Sequence, residues 1–172
     1  MPTIEVYIPA TLAMLQRLVG EGSLRPVNGT AFAVTPTLRE AYAEGDDDEL
    51  AEVALREAAL ASLRLLADDL ANALPPRRAV LAAEVDLGES GVTYRPDLDD
   101  AVVRLAGPIT MDQVVAAYVD NAAAEPAVTK AIEAIDAADL GDEDAELIVG
   151  DAQDHDLAWY ANQELPFLLE LL

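Results

Sequence analysis

Apolar and polar residues alternate at the start of the chain, and this alternation predicts a β-strand over residues 3–8. Ile4, Val6 and Ile8 would share one side of an extended chain, with polar or aromatic residues on the other side. The apolar residues then change to helical spacing, which predicts a helix over residues 11–19. The chain therefore opens with a strand followed by a helix.

The next part of the chain predicts a short strand, a short helix and a long helix. The strand covers residues 30–35, and the capping-box pattern from Thr37 to Glu40 predicts a helix that starts there. The long helix covers residues 46–74, with acidic residues at its start, where the free N–H groups favour them, and two prolines after its end. Outside a narrow polar stripe it is mostly Ala, Leu and Val, so we expect it to pack on the sheet.

Three short apolar runs in the middle of the chain predict buried strands over residues 79–85, 101–106 and 114–119. The intervening residues 87–100 contain glycine, proline and several acids, and they predict a long loop. Helical spacing returns over residues 124–138.

The C-terminal quarter is predicted to be mainly helical. Residues 139–146 indicate an acidic turn, and we expect helix from residue 151 to the end, interrupted near Pro166. The order of these elements predicts an α+β fold with a mixed sheet of about five strands and packed helices. The length favours one domain, residues 1–172, with a long central helix at 46–74 and an acidic C-terminal helical segment at 131–172.

The net charge of the chain indicates more about its possible partners than any motif does. The chain has 33 Asp and Glu against 10 Lys and Arg, a net charge of −23, while 52% of its residues are hydrophobic, so it can fold around a core. Residues 131–172 hold 12 acids and no Lys or Arg, which is half of the excess. Since phosphates would be repelled, we expect no direct nucleic-acid binding, and a basic protein is the expected partner.

Other classes of site and location are excluded or disfavoured by composition. The chain has no cysteine, so disulfides, thiolate nucleophiles and cysteine-bound metals are excluded. The N-terminus lacks the pattern of a signal peptide, and no apolar run is long enough to span a membrane, which favours the cytoplasm. No phosphate-binding glycine loop occurs, and Ser90 does not lie in the nucleophile-elbow pattern. We predict no cofactor and no metal.

His155 is the only histidine, so any imidazole chemistry must use it. On the predicted helix, Asp151 would lie one turn before it and Trp159 one turn after it. Asp151 could then orient the ring of His155 as a general base, and these two residues are the catalytic candidates. The alternative is a weak surface ion pair without function.

The predicted binding surface combines the acids and the aromatic residues of the C-terminal quarter. Its members are Asp142, Glu143, Asp144, Asp154, His155, Asp156, Trp159, Tyr160 and Gln163. The acids from Asp142 to Glu146 alternate as in a calcium loop, but an EF-hand is excluded because the required glycine and final glutamate are missing. A loose divalent site that includes Asp139 or His155 remains an alternative to a solvated turn.

Four segments resemble a family of uncharacterised actinobacterial proteins of about this length. They are Val6-Tyr7-Ile8-Pro9-Ala10-Thr11-Leu12, Phe32-Ala33-Val34-Thr35-Pro36, Leu38-Arg39-Glu40 and Asp154-His155-Asp156-Leu157-Ala158-Trp159-Tyr160-Ala161-Asn162-Gln163-Glu164-Leu165. The resemblance covers nearly the whole chain. It implies a cytoplasmic actinobacterial protein of a family of unknown function, and it transfers no catalytic residue.

Two functions follow from these observations. The first is a non-enzymatic interaction or regulatory protein whose acidic face meets a basic partner. The second is a small enzyme or ligand-binding domain that uses His155 and nearby carboxylates. The apolar C-terminal residues 167–172 favour either a homo-oligomer contact or packing on the chain's own core.

Overall fold

A seven-stranded antiparallel sheet forms the centre of the protein. The computed structural model describes residues 2–42, 44–69 and 74–172. The strands of these residues are Thr3–Ala10 (β1), Ser23–Leu24 (β2), Thr30–Phe32 (β3), Ala79–Asp86 (β4), Val92–Tyr94 (β5), Val102–Leu105 (β6), Ile109–Thr110 (β7), Val114–Val119 (β8) and Ala158–Ala161 (β9). The large sheet has the order β5-β6-β3-β1-β4-β8-β9, and β2 pairs with β7 separately.

Six α-helices accompany these strands in the described residues. They are Leu12–Glu21 (α1), Pro36–Ala41 (α2), Asp47–Asp68 (α3), Glu125–Asp139 (α4), Glu143–Gln153 (α5) and Leu165–Glu170 (α6). None of these helices is long and apolar enough to cross a membrane. The predicted α+β class and its long helix are confirmed, and the number of strands is larger than predicted.

The central strands β1 and β4 pair along their whole length, from Thr3 opposite Asp86 to Ala10 opposite Ala79. Both are apolar on both faces over most of their length because helices cover the sheet on its two sides. On one side, leucines of α1 and α6 pack on the sheet in one continuous cluster. The side chain of Thr11 accepts a hydrogen bond from the Met14 N–H and caps α1.

The long helix α3 packs on the other side of the sheet through Leu50, Ala54 and Ala58. Asp46 caps its start, and Ser62 fixes its position by donating a 2.7 Å hydrogen bond to the Ala10 carbonyl. The helix ends at Asp68, earlier than the predicted residue 74. Asp69 is already non-helical, and the predicted helical residues 70–73 lie outside the described residues.

The short helix α2 begins before the predicted capping box. Its cap is Thr35, whose side chain accepts from the Leu38 N–H at 3.1 Å, rather than Thr37. Pro36 occupies the first turn, where a missing N–H costs nothing, so the preceding threonine becomes the cap.

The predicted loop over residues 87–100 contains the edge strand β5. Gly91 lies so close to Asp86 that a Cβ there would be 2.0 Å from the Asp86 carbonyl oxygen. Glycine therefore permits the tight connection after which β5 pairs with β6, from Val92 opposite Leu105. Gly91 indicated a loop in the sequence, but in the structure it allows the strand β5 to form.

Helices α4 and α5 form a further layer behind α3, where Leu63, Val128, Ile135 and Val149 share a cluster. The predicted acidic turn over residues 139–146 is wrong in its second half, because Asp142 caps α5 and helix begins at Glu143.

The prediction of helix from residue 151 to the end is also wrong. The chain leaves α5 after Gln153, forms β9 beside β8, and becomes helical again only in α6. The C-terminal residues pack on their own core through Leu165 and Leu168, while Phe167 and Leu171 are exposed.

Candidate functional site

Five residues form an acidic and aromatic surface on the side of the sheet that carries α3, and we call it the acidic–aromatic face. Its members are Glu5, Tyr7, Glu84, Tyr118 and Trp159. Glu5 lies directly opposite Glu84 in the pairing of β1 with β4, and Tyr118 lies directly opposite Trp159 in the pairing of β8 with β9. Residues opposite each other, and residues two apart on one strand, share a face, so these side chains project to one side.

The solvent exposure of the aromatic side chains increases across this face. The rings of Tyr7 and Tyr118 are 6.5 Å apart between centroids, at a tilt of 59°. Tyr7 is 7% exposed, Tyr118 is half-buried, and Trp159 at the sheet edge is 57% exposed. The face therefore offers a large indole ring to solvent next to a supporting tyrosine pair.

The carboxylates of this face lie in an unfavourable field. Burial raises the pKa of Glu5, and the negative charge of Glu84 raises it further, while a hydrogen bond with Tyr7 opposes the shift. Burial also raises the pKa of Tyr7, with the charges of Glu5 and Asp48 adding to the effect. Burial and Glu5 raise the pKa of Tyr118 in the same direction. Burial is thus the largest cause of all three shifts, and the charges of neighbouring acidic residues add to it.

Five arginine side chains of the described residues form ion pairs with carboxylates. The pairs are Arg39 with Asp47, Arg64 with Asp139, Arg77 with Glu125, Arg78 with Asp120, and Arg95 with Asp97. None of these five ion pairs includes Glu5 or Glu84. These ion pairs therefore leave the charges of Glu5 and Glu84 uncompensated.

A buried ion pair fixes the chain next to this face. Arg78, before β4, donates to both carboxylate oxygens of Asp120, after β8, at 2.9 and 2.8 Å, and neither side chain is more than 1% exposed. The same guanidinium donates to the Gln153 side chain at 2.8 Å and to the His155 carbonyl at 2.9 Å. Arg78 thus holds the connection from α5 to β9, which sets where Trp159 lies.

The helix predicted to carry the catalytic candidates ends between them. Asp151 is exposed on α5, but α5 ends at Gln153, so the helical spacing to His155 does not continue. His155 lies in the connection, held through its backbone carbonyl by Arg78. Trp159 is on a strand rather than one helical turn away. The predicted continuous helix through His155 to Trp159 is wrong because α5 ends at Gln153 and Trp159 lies on a strand.

The predicted binding surface divides into separate groups. Asp142, Glu143 and Asp144 lie at the start of α5, and Asp154 and Asp156 follow its end. An 11-residue helix separates these groups by about 16 Å.

The aromatic members of the predicted surface are also divided. Trp159 points to the α3 side of the sheet, whereas Tyr160 is half-buried against the opposite core, where α1 and α6 pack. Gln163 lies exposed in the turn after β9. Of the predicted residues, Trp159 joins the acidic–aromatic face.

The carboxylates that the structure describes do not converge on a metal site. Within the ranges that the structure describes, no three His, Asp or Glu side chains are grouped so that they could hold an ion. Asp142 instead accepts the Ala145 N–H at 2.9 Å as a helix cap, and Asp139 is paired with Arg64.

Two cavities are relevant to ligand binding. The larger, about 360 Å³, lies between α1, α3 and α4, with an apolar lining that includes Leu12, Leu66 and Ile132. The cavity beside His155 measures about 60 Å³, which is well below the roughly 300 Å³ at which small-molecule sites begin.

A model of a family of unknown function, DUF6912, matches residues 4–169. The chain belongs to this family. The match covers β1 through α6, so the acidic–aromatic face and the buried ion pair both lie inside it. No curated protein and no solved structure matches the chain.

Sequence reasoning missed Glu5, Tyr7, Glu84 and Tyr118 as site residues. A signal was present for the first two, because the alternation in β1 places Glu5 and Tyr7 together on one side. Glu84, a single acid among the apolar residues 79–85, was a second signal. No local sequence pattern indicated that Tyr118 and Trp159 would lie opposite each other. The helices α4 and α5 separate the two residues along the chain.

Proposed function

We propose that this protein is a non-enzymatic interaction protein that presents its acidic–aromatic face to a basic protein partner in the cytoplasm. The observation that carries the proposal is the register of Glu5 opposite Glu84, beside Tyr7, on a face that ends in the exposed ring of Trp159. Two facing carboxylates without a cation destabilise each other, and a positive group from a partner would remove that cost.

The aromatic rings define the chemistry of the proposed partner more narrowly than charge alone does. A guanidinium or an ammonium group is attracted both by carboxylates and by the face of an indole or phenol ring. A phosphate backbone is repelled by the same surface, so the proposed partner is a protein with exposed arginine or lysine.

The proposal does not use His155 as a catalytic group. A small enzyme would need a substrate-sized pocket beside this residue, and the cavity there is about 60 Å³. The carbonyl of His155 is engaged by Arg78, which supports a structural role for the connection.

A binding measurement with a short arginine-rich peptide tests the proposed function. The variant Glu5→Gln with Glu84→Gln removes two charges from the face and should weaken binding about three- to tenfold at low ionic strength. The matched control, Glu143→Gln with Asp144→Asn, removes two exposed charges from the start of α5, and we expect less than about a twofold change.

Ionic strength provides the second measurement. Affinity should fall as salt screens the carboxylates. Equal weakening by the two double variants would show that net charge alone attracts the peptide, and absence of binding at every ionic strength would refute the proposal.

A further inference from the structure

The strand β9 is an edge strand of the large sheet. The sheet order ends at β9 on one side and at β5 on the other within the described residues. Edge strands are commonly shielded by charged residues, proline or bulges. The edge strand β5 is followed directly by Arg95 and Pro96, and Arg95 pairs with Asp97. The strand β9, with the sequence Ala-Trp-Tyr-Ala, contains none of these features.

The hydrogen bonds show which backbone groups of β9 face outward. The N–H of Ala161 donates to the Glu164 carboxylate at 3.0 Å, so it points away from β8. Backbone groups of an antiparallel strand alternate between its two sides, so the N–H and C=O of Trp159, two residues earlier, lie on the same outer side. The outer side of β9 therefore presents the backbone of Trp159, with its indole ring on the α3 side of the sheet.

We propose that a basic, extended segment of the partner adds to β9 as a further antiparallel strand. The inference rests on the proposed function and specifies how the partner binds. A residue that pairs with Trp159 through its backbone projects its side chain to the same face as the indole ring. An arginine at that position stacks on Trp159, and the acidic residues that flank the strand, Asp156 and Glu164, attract its neighbours.

Charge selects a basic segment over a second copy of this chain. Residues 131–172 contain 12 acids and no Lys or Arg. Two β9 edges pairing with each other would bring the Asp154, Asp156 and Glu164 residues of both copies together. Like charges that face each other across a strand pair are destabilising, whereas a basic strand meets the same groups favourably.

A peptide of alternating arginine and valine tests strand addition separately from charge attraction. N-methylation of its arginines blocks the N–H groups that would face β9, and N-methylation of its valines blocks those that face solvent. Both modified peptides keep the full charge. We expect arginine N-methylation to weaken binding at least about tenfold and valine N-methylation to change it less than about threefold.

A protein variant gives an independent measurement with the unmodified peptide. Trp159→Ala should weaken binding about fivefold to thirtyfold, since it removes the stacking surface. Phe167→Ala is the matched control because Phe167 is also an exposed aromatic residue, 68% exposed, but lies on α6. Far-ultraviolet circular dichroism would establish that both variants are folded.

The outcomes separate the two proposals. If the two N-methylated peptides bind equally, whether as well as the parent or equally weakly, strand addition is wrong. The proposed function stands in that case, provided that the parent peptide binds and that binding depends on Glu5 and Glu84. If the parent peptide does not bind at low ionic strength, both proposals fail. An effect of Phe167→Ala as large as that of Trp159→Ala would also overturn the position assigned to the partner strand.

Discussion

Two carboxylate clusters of this protein differ in what faces them. Asp120 is buried, but the Arg78 guanidinium binds both of its oxygens, and each partner has further hydrogen bonds. Glu5 is exposed, and it faces Glu84 and the Tyr7 hydroxyl with no cation among the groups that shift its pKa. Among the described residues, the first cluster has its cation and the second has none. The comparison indicates that the first stabilises the fold and that the second is available to a partner.

The largest expected effect is the loss of the buried ion pair. Asp120→Ala leaves the Arg78 charge buried without a carboxylate, and we expect the free energy of unfolding to fall by about 3–5 kcal/mol. Chemical denaturation would measure this difference. A loss below about 1 kcal/mol would show that the pair is not a structural centre, and the contrast between the two clusters would disappear.

The next effect concerns the Tyr7 hydroxyl, which opposes the raised pKa of Glu5. Tyr7→Phe removes the hydroxyl donor and should lower the free energy of unfolding by about 1 kcal/mol. Tyr118→Phe is the matched control, because no hydrogen bond contributes to the raised pKa of Tyr118, and its effect should be smaller. Thermal unfolding of both variants tests which of them loses more stability. A larger loss in Tyr118→Phe would contradict the arrangement of the face.

Glu5→Gln should stabilise the protein at neutral pH. The folded-state pKa of Glu5 lies above its ordinary value of 4.5, so the protonated form favours the folded state. This contribution is fully present below pH 4.5 and is lost as the pH rises through the raised pKa. The variant should therefore match the natural protein in acid and exceed it by a few tenths of a kcal/mol at neutral pH, after discounting for solvent screening.

Urea denaturation at several pH values measures the effect of Glu5→Gln. A neutral-pH stability below that of the natural protein would show that Glu5 has a favourable partner, contrary to the proposed difference between the clusters.

A second exposed carboxylate, Asp139, has the opposite pH dependence. A hydrogen bond from Arg64, together with its charge, lowers the pKa of Asp139 below its ordinary value of 3.8. This stabilising contribution is present above pH 3.8 and is lost as the pH falls through the lowered pKa. Asp139→Asn should cost no more than about 1 kcal/mol at neutral pH, because both side chains are exposed.

The pH profiles of Asp139→Asn and Glu5→Gln sharpen the comparison together. The difference from the natural protein should shrink in acid for both variants but should have opposite signs at neutral pH. If both variants changed the free energy of unfolding in the same direction at neutral pH, Asp139 with its cation and Glu5 without one would not differ in their effect on stability.

The fold was predictable where local signals agree with the final packing. Alternation predicted β1, apolar runs predicted β4, β6 and β8, and the acids at residues 46–49 marked the start of α3. Where a local signal was ambiguous, the prediction was wrong. Gly91 indicated a loop but permits β5, and helical spacing after residue 151 did not reveal that the chain turns into β9.

The candidate site was predictable in part. Trp159 was selected because of its type and its acidic neighbours, and it lies on the proposed face. His155 and Asp151 were selected on helical spacing, and the end of α5 at Gln153 removes that spacing. The four missed residues acquire their roles through pairing between distant strands, which no local pattern contains.

The sequence by itself determined the composition of the core, the helix and strand segments with clear periodicity, and the concentration of negative charge in the last quarter. These properties depend on residue type and on neighbours within a few positions. Only the tertiary structure decided that Arg78 meets Asp120, that Glu5 faces Glu84, and that β9 joins the sheet edge so that Trp159 lies opposite Tyr118. Such contacts depend on which buried surfaces and strand edges pair best across the whole chain, because long-range pairing is set by burial and register rather than by sequence spacing.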